Sequence, residues 1–191
     1  ILKSILNYGI LFYAIFFANF TKKKKKKFNL IIDAVISSAE MMRWNKLINI
    51  FGSENVLCVT SEENLKQNFP NNHIQRKKLF RDINIIELLK SIFFEFLIGL
   101  WVVVKTSLKV RLNLLPITIK IIHEYLSYKS LFEHNKSKYL IQEKHYGTQP
   151  IKNFLFKKSG GIASTSIQKN IIQLDPIYFY MDLDILFSFG E

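Results

Sequence analysis

One cysteine, four prolines, seven glycines and only four arginines in 191 residues rule out several ways of making and using a fold. A lone thiol cannot close a disulfide within the chain, so a cross-linked scaffold is excluded. Cys58 lies in the apolar run Val56-Leu57-Cys58-Val59 and reads as a small core residue. The arginines are Arg43, Arg76, Arg81 and Arg111, and the rest of the 27 basic residues are lysine. Nucleic-acid readers favour arginine, whose planar fork grips phosphate and guanine at two points. The net charge of +12 therefore points to anionic lipid or an anionic sugar nucleotide, and no nucleic-acid partner is expected. Signature motifs are missing too. There is no GxxxxGKS/T or GxGxxG phosphate loop and no GxSxG nucleophile elbow. The histidines at 73, 123, 134 and 145 have no metal-ligand spacing, with one another or with Cys58, so no metal is expected.

What is present begins with an uncharged run, Ser4 to Phe20, followed by Lys22, Lys23, Lys24, Lys25, Lys26 and Lys27. Its 17 residues sit at the lower limit for crossing a bilayer, and the six lysines would hold the following domain on the cytoplasmic side. Two readings stand: a membrane anchor or interfacial helix with the lysines on anionic lipid, and a buried first helix followed by a solvated loop. Residues 1–27 are set apart on this ground from an α/β domain over 28–191.

Both ends of that domain read as strand, helix, strand. Phe28 to Ile36 is apolar except for Asn29 and Asp33, the pattern of a strand buried on both faces. Ser37-Ser38-Ala39-Glu40 has capping-box spacing. Met41, Trp44, Leu47, Ile48 and Phe51 then recur at helical spacing, Gly52 stops the helix, and Val56 to Val59 is the next strand. Near the other end, Tyr139 to Glu143 predicts a strand, Thr148 to Ser159 a helix with Pro150 in its first turn, and Gly160-Gly161 its stop. Ile162 to Gln168 and Leu183 to Phe189 are further strands. Such units make parallel pairs, so the expected class is a Rossmann-like parallel sheet with flanking helices.

Between them, about residues 83–133 read as a helical insertion. Apolar residues at 85, 86, 88, 89, 92, 93, 96, 97, 100 and 101 form a stripe, with Glu87, Lys90, Ser91 and Glu95 opposite. The stripe is expected to pack on the sheet. Trp101, with Lys105 and Lys109 close behind, keeps a membrane-interface reading open. Pro116 starts another helix through about Phe132, with Ile117, Ile121, Ile122, Tyr125 and Leu131 inward.

Open parallel sheets bind ligands at the carboxyl ends of their strands. Those ends carry Glu143, Lys144, His145 and Tyr146 after one strand, and Gln168, Lys169 and Asn170 after the next. His145 titrates near ~6.5 when unperturbed and suits proton transfer at neutral pH. The amides of Gln168 and Asn170 suit sugar hydroxyls, and Lys144, Lys157, Lys158 and Lys169 suit a pyrophosphate or other anion.

The order Tyr139-Leu-Ile-Gln-Glu-Lys-His-Tyr146, Ile151-Lys-Asn-Phe-Leu-Phe-Lys-Lys-Ser-Gly-Gly161, Ser166-Ile-Gln168 and Asp184-Ile-Leu-Phe-Ser-Phe-Gly190 resembles the amino-terminal half of bacterial GT-B-type glycosyltransferases and surface-carbohydrate biosynthesis proteins. The resemblance covers about 50 residues. It departs from the Gln-His-Gly of related enzymes at Gln168-Lys169-Asn170. It implies an acceptor-binding amino-terminal domain in a two-domain architecture, the nucleotide sugar being held mainly by a second domain. With the abrupt end after Phe189-Gly190-Glu191, this leads to the expectation of a fragment that is inactive alone. Catalysis is implied for His145 or Glu143, with Lys144, Tyr146, Gln168, Lys169 and Asn170 on the substrate. The implied substrates are a nucleotide-sugar donor and a glycan or lipid-linked acceptor for capsule or lipopolysaccharide. The implied location is peripheral to the inner face of the cell membrane, with no cofactor. A noncatalytic membrane-peripheral or scaffold protein of the same fold is the alternative.

Overall fold

The computed structural model describes residues 25–35, 38–60, 72–79, 86, 89, 97–112, 114–142, 150–167 and 183–187. These residues fall into two compact units, one drawn from 24–78 and 132–191 and the other including 79–131.

The first unit holds a six-stranded, wholly parallel sheet. Its strands are β1 (Lys26–Val35), β2 (Val56–Thr60), β3 (His73–Gln75), β4 (Asn135–Gln142), β5 (Ala163–Ile167) and β6 (Ile185–Phe187). They lie in the order β3-β2-β1-β4-β5-β6. From the two central strands the chain winds outward in opposite directions, as in doubly wound α/β folds. The Rossmann-like parallel class expected from the sequence is thus present. The strands form where apolar runs of the right length allow burial on both faces, and all five residues of β2 are buried.

Alternation of side chains sorts the two faces. On one, Leu30, Ile32, Val56, Cys58 and Ile141 pack with Trp44 and Ile48 of α1 (Ser38–Phe51), and Leu47 and Phe51 close the edge. Each fully buried aliphatic side chain contributes about 1.5–3 kcal/mol. Burial pushes the Cys58 thiol up to about 12, as suits a packing residue. On the other face lie Ile31, Asp33, Leu140, Gln142, Ser164 and Ser166, and this face receives α5 (Pro150–Lys158).

Helix α5 ends as its sequence foretold. Gly160 takes φ 97°, its amide donates to the Lys157 carbonyl at 2.9 Å, and the Gly161 amide donates to the Phe156 carbonyl at 3.1 Å. That is a Schellman stop, which satisfies carbonyls the helix would leave unpaired.

The structure departs from the sequence expectation in three places. β3 and the single helical turn α2 (Arg76–Leu79) were not foreseen. Lys26 and Lys27 are not loop residues but the first residues of β1, paired in register with Asn135 and Lys136, while their side chains stay exposed. The third departure lies in the second unit. It contains α3 (Leu97–Val110) and most of α4 (Leu115–His134). In α4, Leu126, Tyr128 and Leu131 are buried. Ile86, Leu89 and Trp101, expected to face inward, are exposed. Leu97 to Val104 carries no polar side chain, so its periodicity singles out no inward face.

Helix α3 also closes with a Schellman bond, from the Leu112 amide to the Ser107 carbonyl at 3.2 Å, which forces Arg111 to φ 56°. Glycine takes that conformation without the cost a side chain incurs. Arg111→Gly is expected to raise the free energy of unfolding by about 0.5–1 kcal/mol in a denaturant titration. Among the described residues, no helix is long and apolar enough to cross a membrane.

Candidate ligand site at the carboxyl ends of the strands

After the two central parallel strands, β1 and β4, the chain turns to opposite sides of the sheet, so their carboxyl ends flank the crevice where such folds take ligands. The side chains there are polar although the strands are apolar. Asp33 of β1 stands beside Gln142 of β4, and Gln142 beside Ser166 of β5. All three are buried. The row extends the same face on which Ile31 and Leu140 are packed one pair below.

Asp33 is closed off from solvent, and two cations compensate its charge. Arg76, which opens α2 directly after β3, donates to its Oδ1 at 2.6 Å, and Lys152, in the first turn of α5, donates to its Oδ2. Burial alone would raise the carboxyl group's pKa. The nearby charges of Lys152 and Arg76, with the hydrogen bonds they donate, outweigh it and hold Asp33 below the usual carboxylate range. The site is therefore ionised at neutral pH and joins three separate segments of the chain. Pro150 starts α5, and the first turn it opens carries the buried Lys152 onto Asp33.

Two buried amides, one at the end of β4 and one in the first turn of α5, are incomplete. Gln142 and Asn153 are only 3% and 5% exposed, yet Gln142 Nε2 and Asn153 Oδ1 have no hydrogen-bond partner among the described residues. The main chain beside them is satisfied, since Ser166 Oγ donates to the Gln142 carbonyl at 2.9 Å. A buried donor or acceptor left unpaired costs about 1–3 kcal/mol. One open donor and one open acceptor match hydroxyl groups, which both give and receive hydrogen bonds.

A second charged contact holds the far end of α5. Lys157 pairs with Asp184 Oδ1 at 2.7 Å and also donates to the Ile162 carbonyl. Asp184 Oδ2 accepts from the Ser164 amide at 2.6 Å and from the Ser164 hydroxyl at 3.1 Å. Burial opposes ionisation of Asp184, but Lys157 and Ser164 lower its pKa. Lys157 and Lys158 are thus not the crevice cations expected from the sequence. They occupy the last turn of α5, Lys157 held by Asp184 and Lys158 over the Phe154 ring at 5.8 Å.

His145, Glu143, Lys144 and Tyr146 lie outside the described residues, as do Gln168, Lys169 and Asn170 and the lysines at 22, 23 and 24. Gln142 ends β4 immediately before the first of these groups, and Ile167 ends β5 immediately before the second. Sequence reasoning missed Asp33, Arg76, Gln142, Lys152 and Asn153. Asp33 carried a usable signal, a single carboxylate inside a strand predicted to be buried on both faces, which must have a cation beside it. No protein-family model, curated protein or solved structure matches this chain.

Proposed function

We propose that the sheet unit is the acceptor-side domain of a GT-B-type glycosyltransferase of bacterial surface-polysaccharide synthesis, with the β1–β4 crevice as its glycan site. The observation that carries this reading is the buried amide donor of Gln142 at the carboxyl end of β4, where parallel sheets hold ligands, which has no partner among the described residues, as is also true of the buried Asn153 acceptor in the first turn of α5. Hydroxyl-bearing ligands complete both. In this reading His145 or Glu143, directly after β4, removes the proton from the acceptor hydroxyl. Lys144, Tyr146, Gln168, Lys169 and Asn170, which follow β4 and β5 in the sequence, are assigned to the substrate, and the nucleotide sugar is held mainly by another domain.

Saturation-transfer NMR of the chain with a panel of oligosaccharides tests the binding. Gln142→Leu removes the open donor, so saccharide affinity is expected to fall about tenfold while the melting temperature holds or rises. Failure of every saccharide to bind would sink the reading. So would a Gln142→Leu variant that loses stability but binds saccharide as before, because the amide would then be a packing element. Saccharide binding without glycosyl transfer in the complete protein would favour a noncatalytic relative of the fold.

A further inference from the structure

Helix α3, in the second unit, exposes a run of apolar side chains. Ile98, Trp101 and Leu108 are 66%, 65% and 76% exposed, and Val102, Val104, Val110 and Leu112 are exposed with them. Scattered apolar residues on a surface are ordinary, but seven within fifteen consecutive residues form a patch, and such patches mark interaction sites. The charge beside the patch is of one sign. Lys105, Lys109 and Arg111 are exposed, and no acidic residue occurs from 97 to 112.

The charge is confined to one end of the helix, where Leu108, Val110 and Leu112 lie among the cations. Leu97 to Val104 has no polar side chain, whereas the three cations all lie from Lys105 onward. Eight residues of helix span about 12 Å, well short of the ~30 Å hydrocarbon layer but enough to pass the headgroups of one leaflet. Lys105 Nζ lies 5.1 Å from the centre of the Trp101 ring, where apolar and charged halves meet. Tryptophan favours the headgroup level, and long lysine side chains carry their ammonium back toward it.

We propose that α3 docks on an anionic lipid bilayer, with Leu97 to Val104 entering the outer acyl region obliquely and Lys105, Lys109 and Arg111 on the lipid phosphates. An acidic protein surface would match the cations but not an all-apolar half-helix; a lipid leaflet matches both. The inference is independent of the glycosyltransferase reading, since any enzyme or scaffold on this fold would be held to the membrane the same way.

The test is flotation of the full chain with vesicles of mixed phosphatidylglycerol and phosphatidylcholine, and with phosphatidylcholine alone. The expected result is binding to the anionic vesicles that weakens at least about tenfold in Lys105→Glu/Lys109→Glu. Trp101→Ser/Leu108→Ser is expected to weaken it by a similar factor. A variant with residues 22–27 changed to serine separates α3 from the amino-terminal lysines and should retain α3-dependent binding. Trp44 is buried, so a blue shift of emission on vesicle addition, and quenching by lipids labelled high on the acyl chain, report Trp101 in the unaltered protein. The proposal is overturned by equal affinity for neutral vesicles, by α3 variants that bind like the parent, or by Trp101 emission that ignores the labelled lipid. Self-association that the α3 substitutions abolish, with no vesicle binding, would assign the face to a second copy and overturn it as well.

Discussion

Asp33→Asn is expected to lower the free energy of unfolding by about 3–5 kcal/mol, the usual cost of removing one member of a buried ion pair. The carboxylate is fully enclosed and receives Lys152, itself nearly buried, and the half-exposed Arg76. Arginine can turn to solvent in the variant, whereas the Lys152 ammonium loses its main counter-charge in a place water reaches poorly. A second substitution, Lys152→Met, should restore most of the loss, because an apolar chain of similar length removes the charge that needs compensation. The measurement is chemical denaturation of the parent, single and double variants. A single-variant loss under about 1 kcal/mol would mean that the pair contributes little. The same group sets an acid dependence. Its pKa in the folded state is lowered, so the folded state holds fewer protons than the unfolded chain in that range. Its contribution is complete above the unfolded value near ~4 and is lost as pH falls through the folded value. The gap in stability between parent and Asp33→Asn should therefore narrow on acidification below about pH 4.

Gly161→Ala is expected to cost about 1–3 kcal/mol. A methyl group at this position would run into the Phe156 ring. That ring cannot swing away cheaply, being fully buried and packed against Phe132 at a centroid distance of 5.5 Å. Gly160→Ala is a useful contrast. Nothing lies near its added carbon, so its cost is confined to the left-handed backbone at φ 97°. Thermal unfolding of both variants separates crowding from backbone strain. A companion Phe156→Leu change should relieve part of the Gly161→Ala penalty and none of the Gly160→Ala penalty, which double-mutant analysis can measure.

The parts of the fold legible in the sequence were those with local causes. The apolar run of β1, the Trp44 and Ile48 spacing of α1, and Pro150 and Gly160 around α5 each state their element within a dozen residues. β3 has only three residues, none of them buried, so neither length nor pattern announces it. The crevice cluster was hidden for a different reason. Lys152 lies 119 positions from Asp33 and Arg76 lies 43, and no local pattern pairs residues so far apart. The polar loops after the strands carry His145 and Gln168, whereas Asp33, Gln142, Arg76 and Lys152, which the structure brings together, sit in strands and in helical first turns. For α3, apolar residues around the circumference made the direction of burial unreadable before exposure was known.

Helix α5 is fastened at both ends, through Lys152 to β1 and through Lys157 to the residue just before β6. Those attachment strands stand on either side of β4 and β5, so the helix acts as a buckle across half the sheet. A buckled helix has no free end from which to fray. Its amides should exchange with solvent by opening of the sheet unit as a whole, not turn by turn. Both fastenings end on carboxylates whose pKa values are lowered, so each is weakened as acid protonates its carboxylate. Once both carboxylates are protonated, the helix that brings Lys152 to Asp33 would come loose before the apolar face under α1, and the molecule would lose that cluster while keeping its central strands.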